Sequence, residues 1–274
     1  MSAQIIDGKA LAKKIRSKIK KEIAELGIVP GLAVILVGAD PASHLYVGLK
    51  EKAAAEVGIH FEKFLFFATE PEEKIIAKIE ELNIRPDIHG IIVQLPLPQN
   101  YDENKIIAAI DPKKDADGFH PENIKKLLSG EPKIVPPVIS GILKLIESTG
   151  VELKNKKITI LANSEILAKP LEKILTGNDV KKIIAPETLT TEISDADIVI
   201  SALGRAKIIT ADAIKDGAIL IDVGTTRLED GATVGDVDPD STSEKAGWIT
   251  PVPGGVGPMT VAELLQNVLR LAKN

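Results

Sequence analysis

The side chains best suited to acid–base chemistry lie in the first half of the chain. Tyr46 and Lys50 are four residues apart in a helical pattern with Ser43 as its predicted N-cap, so they share one helix face. An aromatic ring beside an amine can flank a flat ligand and supply a base. Spacing alone favours a plainer interpretation, a tyrosine at the core edge and a solvated lysine.

A second candidate is Gln94, which follows an apolar run in the segment "IIVQLPLP" (91–98). Open α/β sheets bind ligands beyond the carboxyl ends of their strands, and Gln94 has that position. Because a buried amide needs hydrogen-bond partners, a glutamine that satisfies only its own loop fits equally well.

An acidic segment, "DPKKDADGFHP" (111–121), contains Asp111, Asp115 and Asp117. It lacks the ligand ladder and closing glutamate of a calcium loop. The Asp-Gly pair favours a turn with carboxylate-to-backbone hydrogen bonds. Either the cluster only forms this turn, or one carboxylate points at a ligand.

The segment "TPVPGGVGPMT" (250–260) is the most unusual part of the chain. Its three prolines and three glycines predict neither a helix nor a regular strand. Glycine lets a backbone approach a ligand closely, and proline fixes the path of the chain. The segment therefore favours a ligand-binding loop over a plain connection.

Composition argues against several classes of function. The 274 residues include no cysteine, which excludes disulfides, thiolate zinc sites and cysteine nucleophiles. The four histidines do not pair at metal-ligand spacing, so we expect no metal. The net charge of −5 argues against a nucleic-acid partner, and no apolar run is long enough to span a membrane. We expect a soluble, cytoplasmic protein.

Alternating helical and extended patterns must position these residues. In the first half, the continuous apolar run at 31–38 predicts a buried strand between helices at 9–26 and 43–57. This βαβ alternation predicts an α/β fold with mostly parallel sheets in two units, the last helix packing back on the first unit. Later elements are predicted as strands at 156–161, 181–185, 198–202 and 218–223 and a helix at 260–273.

The strand–turn–helix junction "ITILANSEILAKP" (158–170) contains no glycine. Dinucleotide-binding junctions of this type usually have a glycine-rich loop, which lets the pyrophosphate approach the backbone. The junction alone therefore leaves open whether a cofactor binds there.

Several of these segments together resemble the bifunctional methylenetetrahydrofolate dehydrogenase/methenyltetrahydrofolate cyclohydrolase (FolD) family. The matching segments, in the family's order, are "DPASHLYVGLKEKAAAEVGI", "VQLPLP", "KKDADGFHPEN", "IDVG", "GDVD" and "ITPVPGGVGPMTVAELLQN". The resemblance implies a catalytic, folate-binding domain at 1–137 plus 255–274 and a Rossmann-like NAD(P)-binding domain at 138–254. It also implies a homodimer, tetrahydrofolate derivatives as substrates and NADP as the default cofactor.

The resemblance implies a role for each first-half candidate. Lys50 matches the catalytic lysine that assists hydrolysis of the methenyl bridge, and Gln94 matches its helper. Tyr46 matches the tyrosine that stacks on the folate, and Asp117 matches the aspartate that hydrogen-bonds the pterin ring. A lysine serves as a base only if burial or nearby positive charge lowers its pKa.

The resemblance also implies binding residues in the second half. The loop that closes over folate and nicotinamide matches Pro253, Gly254 and Gly255. The implied dinucleotide contacts are Ala162, Asn163, Ser164, Glu187, Gly204 and Thr225.

Two departures from the family pattern concern the cofactor. Ala162 and Ala168 replace glycines, and Asn163 replaces an arginine associated with the 2′-phosphate of NADP. Either methyl group could push a pyrophosphate away or loosen the helix–strand contact. Glu187 has the position where a carboxylate binds the ribose 2′-hydroxyl of NAD and repels a 2′-phosphate. We expect NADP to be less favoured than in the family, with NAD as the alternative, unless Glu187 is only a solvated carboxylate.

Three functions fit the sequence. The Tyr46, Lys50, Gln94 and Asp117 set favours oxidation of 5,10-methylenetetrahydrofolate with NAD(P) and hydrolysis of the methenyl product to 10-formyltetrahydrofolate. The altered loop supports a cyclohydrolase alone, with a decayed dinucleotide site. A folate- or nucleotide-binding protein without catalysis is the third, and retention of Lys50 argues against it.

Overall fold

The computed structural model describes residues 2–186 and 193–273. The described strands are β1 (Gln4–Ile5), β2 (Gly31–Val37), β3 (His60–Phe66), β4 (Gly90–Val93), β5 (Lys157–Ala162), β6 (Asp179–Ile184), β7 (Ile198–Ala202), β8 (Ile219–Asp222), β9 (Thr226–Arg227), β10 (Thr233–Val234) and β11 (Trp248–Ile249). The described α-helices are α1 (Gly8–Leu26), α2 (Pro41–Val57), α3 (Glu72–Ile84), α4 (Glu103–Ala108), α5 (Pro121–Ser129), α6 (Pro137–Ser148), α7 (Glu165–Ile174), α8 (Pro239–Thr242) and α9 (Val256–Leu271).

Contacts divide the chain into two units. The three-stranded unit comprises Lys13–Pro137 and Val261–Asn274, and the six-stranded unit comprises Met1–Ala12 and Val138–Thr260. Residues 1–12 and 255–260, which the sequence assigns to the first domain, therefore group with the six-stranded unit. The physical reason is backbone pairing, because β1 pairs with β11 and the Lys9 N–H donates to the Gly254 carbonyl. Which domain these residues serve in function stays a prediction.

The three-stranded unit is built around β2, in the parallel order β3-β2-β4. Every residue of β2 is buried, as its continuous apolar run predicts. Alternate side chains enter two cores, with Leu32, Val34 and Leu36 on the α2 side and Ala33 and Ile35 on the α3 side.

Helix α9 contributes to the core on the α2 side. Val261, Leu264 and Val268 pack in the same cluster as Leu32, so the predicted return of the last helix onto the first unit is confirmed. The helix begins at Val256, four residues before the predicted start at 260. Part of the proline–glycine segment is therefore helical, because proline is tolerated in a first helical turn.

The six-stranded sheet has the strand order β1-β11-β8-β7-β5-β6, and every strand pair within that sheet is parallel. The same unit also contains the short antiparallel pair β9 and β10. From β5 the chain runs to β6 on one side and then returns to β7 on the other. Such a reversal is a topological switch point, where open α/β sheets bind ligands beyond the carboxyl ends of their strands. The glycine-free junction follows β5, at this switch point.

The described helices and the described His, Cys, Asp and Glu side chains bear on membrane and metal binding. No helix within 2–186 and 193–273 is both long and apolar enough to cross a bilayer. The same residues contain no group of three or more His, Cys, Asp or Glu side chains arranged to hold a metal ion.

Candidate active site

Lys50 lies on the inner side of α2, with only 8% of its surface exposed. The N-cap of this helix is Asp40, whose carboxylate accepts hydrogen bonds from the Ser43 N–H (2.8 Å) and hydroxyl (2.7 Å). The prediction of Ser43 as the N-cap is therefore wrong by three residues. Pro41 is the first helical residue, so the residue before it, Asp40, is the N-cap. The Lys50 ammonium nitrogen Nζ donates to Gln94 Oε1 at 2.8 Å.

Gln94 is held at the end of β4 by two further hydrogen bonds. Its backbone N–H donates to the Ile35 carbonyl at 2.8 Å, so pairing with β2 continues one residue past β4. Its side-chain Nε2 donates to the Leu95 carbonyl at 2.7 Å. Because the amide nitrogen is engaged there, the oxygen Oε1 is the atom that faces Lys50. Both predicted partners are therefore in direct contact.

A turn anchored by Asp115 holds Asp117. The buried Asp115 carboxylate accepts the N–H groups of Gly118 (2.9 Å) and His120 (2.8 Å) and the Asn123 side-chain amide (2.9 Å). The segment continues the sheet, because Asp115 forms a parallel bridge with Ile91 of β4. The acidic cluster thus forms the predicted turn, and that turn carries Asp117 at its tip.

Electrostatics couple Asp117 to Lys50. Burial lowers the pKa of Lys50 below its ordinary value of 10.5, and the Asp117 charge partly opposes that shift. Burial raises the pKa of Asp117, opposed by the Lys50 charge. A buried lysine with a lowered pKa has a larger neutral fraction near neutral pH, which a base requires. Tyr46 lies one helical turn before Lys50 and is partly buried.

Two residues hold this part of the unit in place. Asp115, a member of the acidic segment for which the sequence left a turn or a ligand contact open, anchors the turn, whereas Asn267 was not singled out in the sequence. The Asn267 side-chain amide donates to the carbonyls of Ala116 and Val135, each at 3.0 Å. Nothing in the local sequence predicts these contacts, because the partners are 151 and 132 residues away.

The β5–α7 junction carries the two alanines that replace family glycines. Ala162 is 1% exposed and Ala168 is fully buried. A ligand contacts only accessible atoms, so neither methyl group is placed to push a pyrophosphate away. Ser164 is exposed at the N-cap of the 10-residue helix α7, where backbone N–H groups favour an anion.

Asn163 is committed to the neighbouring loop. Its side-chain amide donates to the Leu203 carbonyl at 2.6 Å, which joins the ends of β5 and β7. Gly204 follows with a φ of +62°, and a Cβ there would meet no atom within 4 Å. The glycine therefore serves a left-handed backbone turn rather than a tight contact in the free protein.

The Asp236 carboxylate lies under this loop and is fully buried. It accepts the Ser201 hydroxyl at 2.6 Å and the backbone N–H groups of Leu203 (2.7 Å) and Arg205 (2.8 Å). One carboxylate thus fixes the path of the chain after β7.

Asp222, at the end of β8, forms the other half of this arrangement. Its carboxylate accepts N–H groups from Gly224 (2.9 Å), Asp236 (3.0 Å) and Val237 (2.8 Å). Burial raises the pKa of Asp222 from 3.8 to about 7, and the Asp236 charge adds to that rise. A Cβ at Gly235 would lie 1.9 Å from Asp222 Oδ2, so only glycine fits there.

The last predicted contacts follow β8 and β11. Thr225 is exposed in the loop between β8 and β9. Pro253 is exposed and joined to Val252 by a cis peptide bond, whereas Gly254 and Gly255 are buried. Gly254 has a φ of +124°, and a Cβ at Gly255 would lie 2.7 Å from Thr250 Cβ, so both positions require glycine.

All described dinucleotide candidates thus share one edge of the six-stranded sheet. Carboxyl ends of parallel strands meet at the same edge, so the residues after β5, β7, β8 and β11 line it together. Glu187 lies outside the described residues.

Comparison with known proteins places the chain in a family. Residues 6–117 match the catalytic domain of tetrahydrofolate dehydrogenase/cyclohydrolase, and residues 136–274 match its NAD(P)-binding domain. The bifunctional protein FolD of Nautilia profundicola is 46% identical over 277 residues, which cover 98% of this chain and 97% of that protein.

Two solved structures have closely similar folds. The bifunctional FolD enzyme of Campylobacter jejuni has a TM-score of 0.94 at 39% identity, covering 100% of this chain and 99% of that chain. The FolD of Trypanosoma brucei, in complex with NADP and an inhibitor, has a TM-score of 0.95 at 36% identity, covering 100% and 98%. The chain therefore belongs to the tetrahydrofolate dehydrogenase/cyclohydrolase family.

Proposed function

We propose that this chain oxidises 5,10-methylenetetrahydrofolate to the 5,10-methenyl form with a nicotinamide dinucleotide and hydrolyses that product to 10-formyltetrahydrofolate. The observation that carries the proposal is the buried Lys50 in direct contact with Gln94, 2.8 Å apart. Membership of a family with both a catalytic and an NAD(P)-binding domain supports two activities rather than cyclohydrolysis alone.

In the hydrolytic step, Lys50 acts as the proton acceptor. The methenyl carbon is already electrophilic, so water addition needs positioning and one base. The neutral amine of Lys50 takes a proton from the water as the carbon–oxygen bond forms, and Gln94 holds that amine by accepting its N–H. The adduct then opens as its C–N5 bond breaks, with N5 gaining a proton and the former water oxygen losing its second proton to leave the 10-formyl group. Asp117 hydrogen-bonds the pterin ring, and Tyr46 stacks on the folate, the roles that the family pattern gives them.

The six-stranded unit fits a dinucleotide at its carboxyl edge. The buried methyl groups of Ala162 and Ala168 present no surface to a ligand, and the exposed start of α7 favours a phosphate. Asn163, Ser164, Gly204 and Thr225 line this edge, with the Pro253–Gly255 loop after β11. When bound, the nicotinamide supplies the hydride acceptor for the methylene carbon. NADP is the family default, and Glu187 is the residue that would favour NAD.

A paired substitution on α2 tests the hydrolytic half. We expect Lys50→Met to lower the rate of methenyltetrahydrofolate hydrolysis by about 10²- to 10⁴-fold, because the base is lost. Lys52→Met is the matched control, since Lys52 is exposed on the same helix. A Lys50→Met enzyme that keeps the wild-type rate would contradict the assigned role.

We further propose a cytoplasmic homodimer that forms through the β3 edge. In the described part of the chain β3 pairs only with β2, and Leu65 and Phe67 beside that edge are 57% and 77% exposed. Exposed apolar side chains on an open strand edge favour association with another copy. Light scattering coupled to size exclusion should give a dimer for the wild type and a monomer for Phe67→Asp. Ile84→Asp, which alters an exposed apolar residue on α3, should stay dimeric.

A further inference from the structure

The candidate cofactor edge contains a cation, Arg205, in the loop after β7. Arg205 follows β7, and its guanidinium Nη1 donates to the carbonyl of Pro186, which follows β6. The strand order β7-β5-β6 means that the side chain passes over the carboxyl end of β5. Adjacent strands are about 4.8 Å apart, so the outer two of these three strands, β7 and β6, are about 10 Å apart.

The backbone of Arg205 is fixed, so the position of the guanidinium is determined by the fold. Its N–H donates to the buried Asp236 carboxylate at 2.8 Å. The other end of the contact is also fixed, because the Ala185 N–H donates to the Ala162 carbonyl at 2.8 Å. Arg205 remains partly exposed, so a ligand at this edge can reach it.

In Rossmann-like folds, the group after the second strand reads the ribose 2′ position. Strand β5 is the first strand of this unit after the connecting helix α6, and β6 is the second. The Arg205 guanidinium therefore lies where a 2′-phosphate is recognised. The family's arginine is replaced here by Asn163, whose amide is already bonded to the Leu203 carbonyl.

Neighbouring cations are committed to carboxylates. Lys182 pairs with Glu165 and Glu172, at 2.9 and 3.0 Å. Lys207 pairs with Asp238 and Asp240, at 3.3 and 3.1 Å. Each of these lysines therefore already balances carboxylate charge.

We propose that Arg205 is a specificity-determining residue of the dinucleotide site and binds the 2′-phosphate of NADP in place of the arginine missing at position 163. This inference rests on the proposed dehydrogenase function. It opposes the expectation drawn from Glu187, because it assigns NADP rather than NAD as the preferred cofactor.

Direct binding of NADP, NAD and 2′,5′-ADP to the whole protein, measured by titration calorimetry, tests the proposal. The wild type should bind NADP more tightly than NAD. Arg205→Gln should weaken NADP and 2′,5′-ADP binding by about 10- to 100-fold while changing NAD affinity by less than about threefold. Arg205→Lys should keep part of the preference, because it retains the charge but loses the planar fork.

Lys207→Gln is the matched control and should leave the NADP-to-NAD affinity ratio unchanged. A wild type that prefers NAD, or an Arg205→Gln variant with an unchanged ratio, would overturn the assignment. An equal loss for both dinucleotides would overturn it too, since it would indicate a structural role. A last outcome separates the two proposals. If Arg205→Gln weakens NADP binding as expected but the wild type does not oxidise methylenetetrahydrofolate, the inference stands and the proposed function fails.

Discussion

The buried carboxyl group of Asp222 should make the six-stranded unit less stable as pH rises. Its pKa is raised from 3.8 to about 7, mainly by burial. Below about pH 4 the group is protonated in both folded and unfolded chains, so it carries no penalty. Between the two pKa values only the unfolded carboxyl ionises, which favours unfolding. Above about pH 7 the full penalty remains.

The magnitude follows from the size of the shift. The difference between about 7 and 3.8 is about three pKa units, and each unit corresponds to about 1.4 kcal/mol. Asp222→Asn removes the titration and also alters three backbone hydrogen bonds, whose loss is the same at every pH. Comparing variant and wild type at about pH 4 and about pH 8 cancels that constant loss. From about pH 4 to about pH 8, the free energy of unfolding of the variant should increase by about 4 kcal/mol relative to that of the wild type.

Urea unfolding followed by tryptophan fluorescence measures this difference in the relevant unit. Trp248 is the single tryptophan and lies in β11 of the six-stranded unit. Asp216→Asn is the matched control, because the Asp216 side chain is 90% exposed in the same unit. If the free energy of unfolding of Asp222→Asn increases by less than about 1 kcal/mol relative to wild type over this pH range, the reasoning is refuted. The carboxyl group would then already be ionised in the folded protein well below about pH 7.

Three further experiments test the packing and the chemistry. Gly235→Ala should lower the free energy of unfolding, measured with urea, by more than about 3 kcal/mol, because the added Cβ would lie 1.9 Å from Asp222 Oδ2. Gly257→Ala is the control and should be tolerated, because the space around Gly257 is open. Ala168→Gly should leave NADP affinity, measured by titration calorimetry, within about threefold, because the methyl group is buried; a large gain would mean that the methyl group does obstruct the dinucleotide. The rate of methenyl hydrolysis should rise with pH and level off below pH 10.5, because burial lowers the pKa of Lys50; a rate that keeps rising past that value would exclude Lys50 as the base.

Sequence patterns predicted the elements that are strongly periodic or continuously apolar. The run at Gly31–Val37 is a buried parallel strand, and the last helix packs on the core that contains that strand. These succeed because burial on both faces leaves an unbroken apolar signature. The two-residue strands β1 and β11 carry no such signature. Because these strands pair, the first residues of the chain group with the six-stranded unit rather than with the three-stranded unit.

Sequence patterns named the candidate residues but not the groups that hold them in place. Lys50 and Gln94 are 44 residues apart in sequence, and the fold brings their side chains into contact. The arrangement of Asp222 and Asp236 depends on topology, because 14 residues and a strand pair separate them. The burial of Ala162 and Ala168 also needed the fold, since sequence alone shows only that two methyl groups were added.

The most direct test of the two-activity proposal is a coupled absorbance assay on the purified wild-type protein. Methylenetetrahydrofolate is given with NADP and then with NAD, and methenyltetrahydrofolate is given separately. We predict formation of reduced nicotinamide, fastest with NADP, together with loss of the methenyl absorbance. Loss of methenyl absorbance without nicotinamide reduction by either cofactor would contradict the account and leave a cyclohydrolase alone.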